Sequence, residues 1–496
     1  MSSLAVPERV TLAPGLTIAR VVTGLWQVAD MEREGRTLDP DASARELAAY
    51  AAVGLDTFDM ADHYGSAEII AGRYLAGVRA GALSRGPSER PTAFTKWCPA
   101  PGAMSPDVVR AGIARSHERM SLERIDLLQF HWWTFRHPAY LDALEELVLL
   151  QKEGRIGHIG LTNFDTDHLR LVVRHGIPVV SNQVSYSLLD RRAGGDMTAF
   201  CQESGVKLLT YGTLGGGFLA DRWVGKPEPA HIPDWSKSKY KRFIDVIGGW
   251  NVLQTLLETL ARIAARHGVS VSNVATRWVL QQPAVAAVII GARIGESEHR
   301  SDNLRLFSFA LDAADLAAID AALAAARPVP GDCGDEYRKP PFLTASGDLS
   351  HHLEALPKVY RAEPMPGRPG RQTVSTGSVW EPIAGYSRAV RVRDRIMVSG
   401  TTATHGSGQV VCPGDVAGQT VYILDKIAAS IEALGGKLED VVRTRVYLRD
   451  AAQWEPASRV HGRYFGDIRP ANTLLAIREL VGEFEVEIDA EAIVGD

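Results

Sequence analysis

The sequence predicts an α/β protein: a (β/α)8 barrel over residues 1–327, a linker over 328–372 and a small α+β domain over 373–496. Three observations predict this. The chain has 496 residues, too many for one ordinary core. Before residue 327, short apolar runs alternate with helical periodicities about eight times, the spacing of βαβ units, and so many repeats argue for closure rather than an open sheet. Beyond Pro330 the chain turns rich in Pro, Gly and charge as far as Gly370, and a different pattern follows.

The elements follow in order. Residues 11–27 read as extended. Asp39 and Pro40 supply a cap and a first-turn proline; Leu47, Tyr50, Ala51 and Val53 recur at helical spacing, and Gly54 stops the helix. A short strand ends at Asp59, followed by a polar turn. Helices over 67–83, 106–120 and 138–153 then separate strands over 92–97, 125–131 and 158–163. Strands over 179–183, 207–211 and 285–291 complete the set. Residues 220–248 form a long polar stretch, readable as a lid or as a loose insertion. Residues 315–326 read as a helix, and one short helix is expected in the linker near 349–356. In the last domain, residues 389–399 alternate as a strand, and Val416 to Leu434 recur at helical spacing. Then come a strand over 441–448, a helix over 456–465, and strands over 473–480 and 484–493.

The totals exclude several classes. A net charge of −5 is small for this length and suggests neither nucleic acid nor an acidic membrane as a partner. Cys98, Cys201, Cys333 and Cys412 lie far apart with no CxxC pair, so neither a zinc site nor a disulfide framework is expected, and the cytoplasm is the expected compartment. The first residues lack the layout of a signal peptide, and the longest apolar run, 284–290, is too short to span a bilayer.

The candidate chemistry lies at the strand ends. Asp59 stands five residues before Tyr64. A phenol is a poor acid near neutrality, with a free pKa of about 10, and a nearby cation lowers that by roughly one to three units. An acidic Tyr64 therefore needs a buried lysine, and Lys96 ends the next strand; His131 ends the one after. Barrel strands converge on one face at their carboxyl ends. Alternation puts Thr57 and Asp59 on one face and Phe58 and Met60 on the other; the apolar pair should face the helices, turning Asp59 inward. Leu127, Gln129 and His131 point inward by the same count. Thr162, Asn163, Gln183 and Tyr211 also fall at the upper rim. Gly212, Thr213, Leu214 and Gly215 open a glycine loop whose backbone can approach a pyrophosphate, although no GxGxxG follows the first strand. Trp26 and Trp132 stand beside the site, as pocket walls or as core.

Asp59, Tyr64, Lys96 and His131 together resemble the catalytic set of the aldo-keto reductases, over roughly residues 8–326. The resemblance implies carbonyl reduction by NADPH, with NADH as the lesser cofactor. Tyr64 would be the general acid, Lys96 would lower its pKa, Asp59 would hold Lys96, and His131 would orient the substrate carbonyl. Thr162 (serine in most members), Asn163 and Gln183 would bind the nicotinamide carboxamide, and Tyr211 would stack on its ring. Arg293 would face the 2′-phosphate, and the region around Asp302 and Asn303 would hold the adenosine. His299 takes the family's second basic position. In the last domain, residues 385–390, 398–400, 464–466, 469–471 and 486–488 resemble the RidA (YjgF) family, which implies a homotrimer with clefts between subunits. Tyr386 and Glu487 match its cleft positions. Asn472 stands where imine-hydrolysing members carry an arginine, which points to trimerisation or small-ligand binding instead. The expected partner is a small carbonyl or alcohol. The competing readings are an NADP-binding sensor with little turnover, and a bifunctional reductase and imine hydrolase.

Overall fold

The structure, a computed structural model, describes residues 6–28, 38–88, 90–232, 235–338, 356–406 and 408–495. Two strands, β1 (Arg9–Ala13) and β2 (Leu16–Ala19), form an antiparallel hairpin. Eight parallel strands then close a barrel: β3 (Val21–Gly24), β4 (Thr57–Asp59), β5 (Thr92–Trp97), β6 (Ile125–His131), β7 (Ile156–Thr162), β8 (Val179–Ser185), β9 (Lys207–Tyr211) and β10 (Val285–Gly291). The extended run 11–27 is therefore three strands and a 3-10 turn rather than one segment. Gly15 turns the hairpin at φ +76°, a backbone state that favours glycine.

Strand alternation sorts the side chains. Phe94, Leu127 and Leu209 point into the barrel and pack with Leu12, Leu16 and Ile18 of the hairpin, which plugs the lower end. Phe58, Met60, Leu128 and Phe130 point outward into the larger core beneath the helices. Each such side chain, once buried, stabilises the fold by roughly 1.5–3 kcal/mol. With its floor filled, the barrel is open to chemistry only at the carboxyl ends of its strands.

Two stretches differ from the sequence expectation. Within 220–248, residues Trp235–Ile247 form an ordered helix that packs on the glycine loop. The start of the expected linker is not a tether: Cys333, Asp335 and Glu336 are buried against the barrel, and Asp335–Tyr337 forms a 3-10 turn. Polar and charged residues dominate both stretches, so hydrophobic periodicity could not reveal them. The helix expected near 349–356 lies almost wholly outside the described residues.

The second domain is a seven-stranded mixed sheet in the order β11-β12-β13-β14-β19-β17-β18. Those strands are β11 (Ala362–Pro364), β12 (Arg371–Val374), β13 (Ala389–Val392), β14 (Arg395–Thr401), β17 (Val441–Leu448), β18 (Ala471–Ala476) and β19 (Val486–Ile493); β15 (Thr404–His405) and β16 (Gln409–Val410) form a separate ribbon. The run 389–399 is thus a hairpin broken at Arg393, which takes φ +56°. The helix Val416–Ala433 covers one sheet face and is buried along nearly its whole length, because its far side packs on the barrel helix Thr166–Arg174.

Ion pairs join the two units. His168 on the barrel helix sits between Asp165 (2.8 Å) and Asp425 of the second domain (2.8 Å), and its ring stacks on Phe135 at 3.7 Å. Burial opposes its charge, but the two carboxylates outweigh burial and raise its pKa to about 9. Tyr464 donates to the other oxygen of Asp425 at 2.8 Å, Arg463 pairs with Asp167, and His405 contacts Asp142 at 3.0 Å. Among the described residues, no helix is long and apolar enough to cross a membrane.

Candidate active site

The site is built on the carboxyl ends of β4, β5 and β6. Parallel pairing sets Asp59 opposite Phe94 and Lys96 opposite Gln129, so Lys96 and Gln129 stand one inward position beyond Asp59 toward the carboxyl ends. Lys96 Nζ donates to Asp59 Oδ2 at 2.6 Å, and both residues are buried. The other carboxylate oxygen accepts from Gln129 Nε2 (2.7 Å) and Gln183 Nε2 (2.9 Å). Asp59 is thus held by three donors, and it fixes the ammonium in turn. Lys96 Nζ lies 4.9 Å from the centroid of the Tyr64 ring. A buried charge at that distance from the ring is screened less than it would be in bulk water.

The turn carrying Tyr64 is shaped by its neighbours. Asp62 accepts from the Cys98 backbone N–H (3.2 Å), and its other oxygen lies 3.0 Å from His63 Nδ1. His63 thereby turns toward Asp62. Trp26 meets Tyr64 edge-on at 4.8 Å, so it does wall the phenol. Trp132 does not wall the pocket: it is fully buried in the outer core, stacks on Phe130 and donates to His137 O. Alternation explains the exchange, because the residue after inward His131 points outward. Trp133 takes the place beside His131, with ring centroids 4.4 Å apart, and donates to Pro99 O.

The expected cofactor residues divide. Thr162 Oγ1 is buried with no hydrogen-bond partner, an orphaned hydroxyl of the kind a ligand amide satisfies. Asn163 takes φ +57° and presents Oδ1, which accepts from the Tyr211 hydroxyl at 2.8 Å. Gln183 is committed instead to Asp59 and to Gln129 Oε1 (2.7 Å). The Tyr211 phenol also lies 3.3 Å from the Tyr337 hydroxyl. Gly212 has φ +71°, and a Cβ there would meet Tyr240 Oη at 2.3 Å, so the loop after β9 requires glycine. Thr213 and Gly215 are buried behind it, with Leu214 between them. Arg293 is half-exposed beside Glu296 (3.7 Å), and Asn303 lies on the short helix Arg300–Arg305. Asp302 is not placed as an adenosine ligand: its carboxylate accepts from Ser270 Oγ and Asn273 Nδ2, both at 3.0 Å, and so ties that helix down.

Several residues at the mouth escaped the sequence reading. Gln129, turned inward by strand parity but given no role there, is a direct partner of Asp59. Lys239 Nζ donates to the Tyr337 hydroxyl at 2.7 Å. The Tyr337 ring meets His131 edge-on at 5.8 Å. Arg338 Nη2 donates to Asn163 O (2.5 Å) and Trp132 O (3.0 Å). Arg192 pairs with Glu336 (2.7 Å) and Asp190 (2.8 Å), pinning the strap that bears Tyr337. The signal for Gln129 was available in strand parity; nothing periodic marks the rest.

In the second domain, Tyr386 Oη accepts from buried Arg388 (3.0 Å), which also donates to Gly400 O (2.5 Å). Glu487 reaches the same strand, where its Oε1 would clash with any Cβ at Gly400, and burial raises its pKa. Asn472 Nδ2 donates within the sheet to Thr444 Oγ1 at 2.9 Å.

A closed parallel barrel with a buried carboxylate–ammonium pair beside a phenol at its mouth defines a class of barrel oxidoreductase. The Aldo/keto reductase family profile matches residues 20–324, and the chain belongs to that family, whose members generally use NAD(P)H to reduce carbonyls. A second profile, Endoribonuclease L-PSP, matches residues 376–494 and marks the second domain as YjgF/RidA-like.

Among curated proteins, the chain is 30% identical over 205 residues to Protein tas of Escherichia coli, a match spanning 37% of this chain and only 58% of that relative. It is 24% identical over 309 residues to the NADH-specific methylglyoxal reductase of Escherichia coli, covering 57% of this chain and 88% of that one. The second domain is 30% identical over 122 residues to a RutC family protein of Pyrococcus abyssi, spanning 25% of this chain and 96% of the relative. Among solved structures, the glycerol dehydrogenase AKR11B4 from Gluconobacter oxydans aligns with a TM-score of 0.52 at 23% identity, covering 67% of this chain and 98% of that one; it shares the fold.

Proposed function

We propose that the barrel reduces an aldehyde or ketone to an alcohol, with NADPH preferred over NADH. One observation carries the reading: buried Lys96 stands between Asp59, at 2.6 Å, and the Tyr64 ring, at 4.9 Å, at the barrel mouth. The nicotinamide supplies the hydride. Tyr64 holds the proton that the developing alkoxide takes, and Lys96 stabilises the phenolate left behind. Asp59 holds that ammonium in place. His131, braced by Trp133, orients the carbonyl oxygen. Thr162 Oγ1 and Asn163 Oδ1 suit the carboxamide, and Tyr211 would stack on the ring. Gly212 to Gly215 suit the pyrophosphate. Arg293 supports the choice of NADPH, as a cation at a 2′-phosphate.

The test is oxidation of NADPH and NADH, in parallel, with a panel of aldehydes, ketones and sugars. Turnover favouring NADPH is expected. Tight cofactor binding without turnover on any carbonyl would replace this reading with that of a sensor.

For the second domain we propose assembly or small-ligand binding, since Asn472 is engaged within the sheet and offers no bidentate cation. A trimer through the exposed sheet face, which bears Met397, Val442 and Leu475, is the expected form; analytical ultracentrifugation reads it directly. Ammonia release from a 2-imino acid would instead support a hydrolase.

A further inference from the structure

The barrel mouth holds a second lysine–tyrosine pair that the reduction chemistry does not use. Lys239 comes from the helix Trp235–Ile247, and Tyr337 and Arg338 come from the strap after the barrel. The Lys239 ammonium lies 2.7 Å from Tyr337 Oη and within 5.3 Å of the Tyr211 ring centroid. Arg338 lies over Phe135 and donates only from Nη2, to two backbone carbonyls at the ends of β6 and β7; its Nε and Nη1 are buried without a partner. Among the described residues, no carboxylate lies within ion-pair reach of either cation. Glu336, whose charge also acts on Lys239, makes its direct ion pair with Arg192 at 2.7 Å. Buried cations are ordinarily paired. Carboxylates act on both cations only from beyond direct pairing, Glu336 on Lys239 and Asp165, Asp335 and Glu336 on Arg338, so the two cations around Tyr337, whose ring meets His131, make a place where a ligand's negative charge is favoured.

We infer that the carbonyl substrate of this barrel carries an anionic group, a carboxylate or a phosphate, recognised by Lys239 with Tyr337 and by Arg338. This rests on the reductase reading above. The placement supports a substrate anion: Tyr337 carries the Lys239 contact on one side and meets the His131 ring on the other. A carbonyl held at His131 and Tyr64 would thus direct its substituent toward the strap. Arg338 adds donors fixed by the backbone, as carboxylate or phosphate recognition requires.

The test compares 2-, 3- and 4-carboxybenzaldehyde with the matching methylbenzaldehydes, in the full chain with NADPH. At least one acid should exceed its neutral partner about tenfold in kcat/KM. Lys239→Met should cut that preference about tenfold, mainly through KM, and Tyr337→Phe about threefold. NADPH affinity, read by fluorescence titration in each variant, should stay within about threefold of the original. A wild-type enzyme that reduces the neutral aldehydes as well as the acids overturns the inference and leaves the reductase reading standing. So does a Lys239→Met enzyme that loses NADPH affinity but keeps its preference, since the anion recognised is then a cofactor phosphate. Failure to reduce either member of any pair removes both readings.

Discussion

The two lysine–tyrosine pairs at the barrel mouth contain the same groups in opposite settings. Lys96 is locked by a carboxylate 2.6 Å away and meets the ring of Tyr64; Lys239 has no such carboxylate and meets the hydroxyl of Tyr337. The first ammonium is neutralised by the protein and held at fixed range, which suits a group that must act on a phenol in every cycle. The second is balanced only from a distance, by Glu336, and has room for a closer anion. The first pair stands on strands and the second on an insertion and a strap, so the comparison also sets a rigid half of the site against an appended half.

The comparison can be broken at its strongest point first. Tyr64→Phe should lower kcat by about 10²–10⁴-fold while leaving NADPH affinity close to the original, read by steady-state kinetics and fluorescence titration. Tyr337→Phe should never approach that loss; if it does, the roles of the two phenols are exchanged. Lys96→Met comes next, at about 10²–10³-fold in kcat. It also strands Asp59 with only Gln129 and Gln183, so urea denaturation should show a loss of about 3–5 kcal/mol. Lys239→Met removes no buried ion pair and should cost much less stability.

Arg192→Met leaves Glu336 and Asp190 as buried carboxylates without their cation, at about 3 kcal/mol. Hydrogen exchange should rise across 331–338 and stay unchanged in β5 and β6, sharpening the division between appended and strand-built halves. The smallest effect concerns the second domain. The pKa of His168 is raised in the folded protein from an ordinary 6.5 to about 9. Its stabilisation is therefore complete below pH 6.5, declines between 6.5 and about 9, and is absent above. Thermal melts should fall by a few degrees between those limits, and His168→Gln should flatten the profile.

How much of this was legible in the sequence follows the same division. Asp59, Tyr64, Lys96 and His131 could be placed because each ends or follows a strand whose apolar alternation fixes which way it points. Trp132 was misplaced by one residue of that alternation, and Trp133 shows what strict counting would have found. Asp302 looked like a ligand by position, but its partners Ser270 and Asn273 lie at the start of another helix, and local sequence carries no record of such a contact. Lys239, Glu336, Tyr337 and Arg338 were out of reach for a related reason. They sit in polar stretches held by individual ion pairs and hydrogen bonds between distant positions, and such bonds impose no period.

The strap also bears on where this chain can be cut. Severing at residue 327, where apolar repeats stop, would strip away Glu336, Tyr337 and Arg338 and leave Arg192 facing solvent across from Asp190. A barrel isolated that way would test a damaged mouth, whereas one carried through Arg338 would retain its native rim; any claim that the two units work independently hinges on those eleven residues.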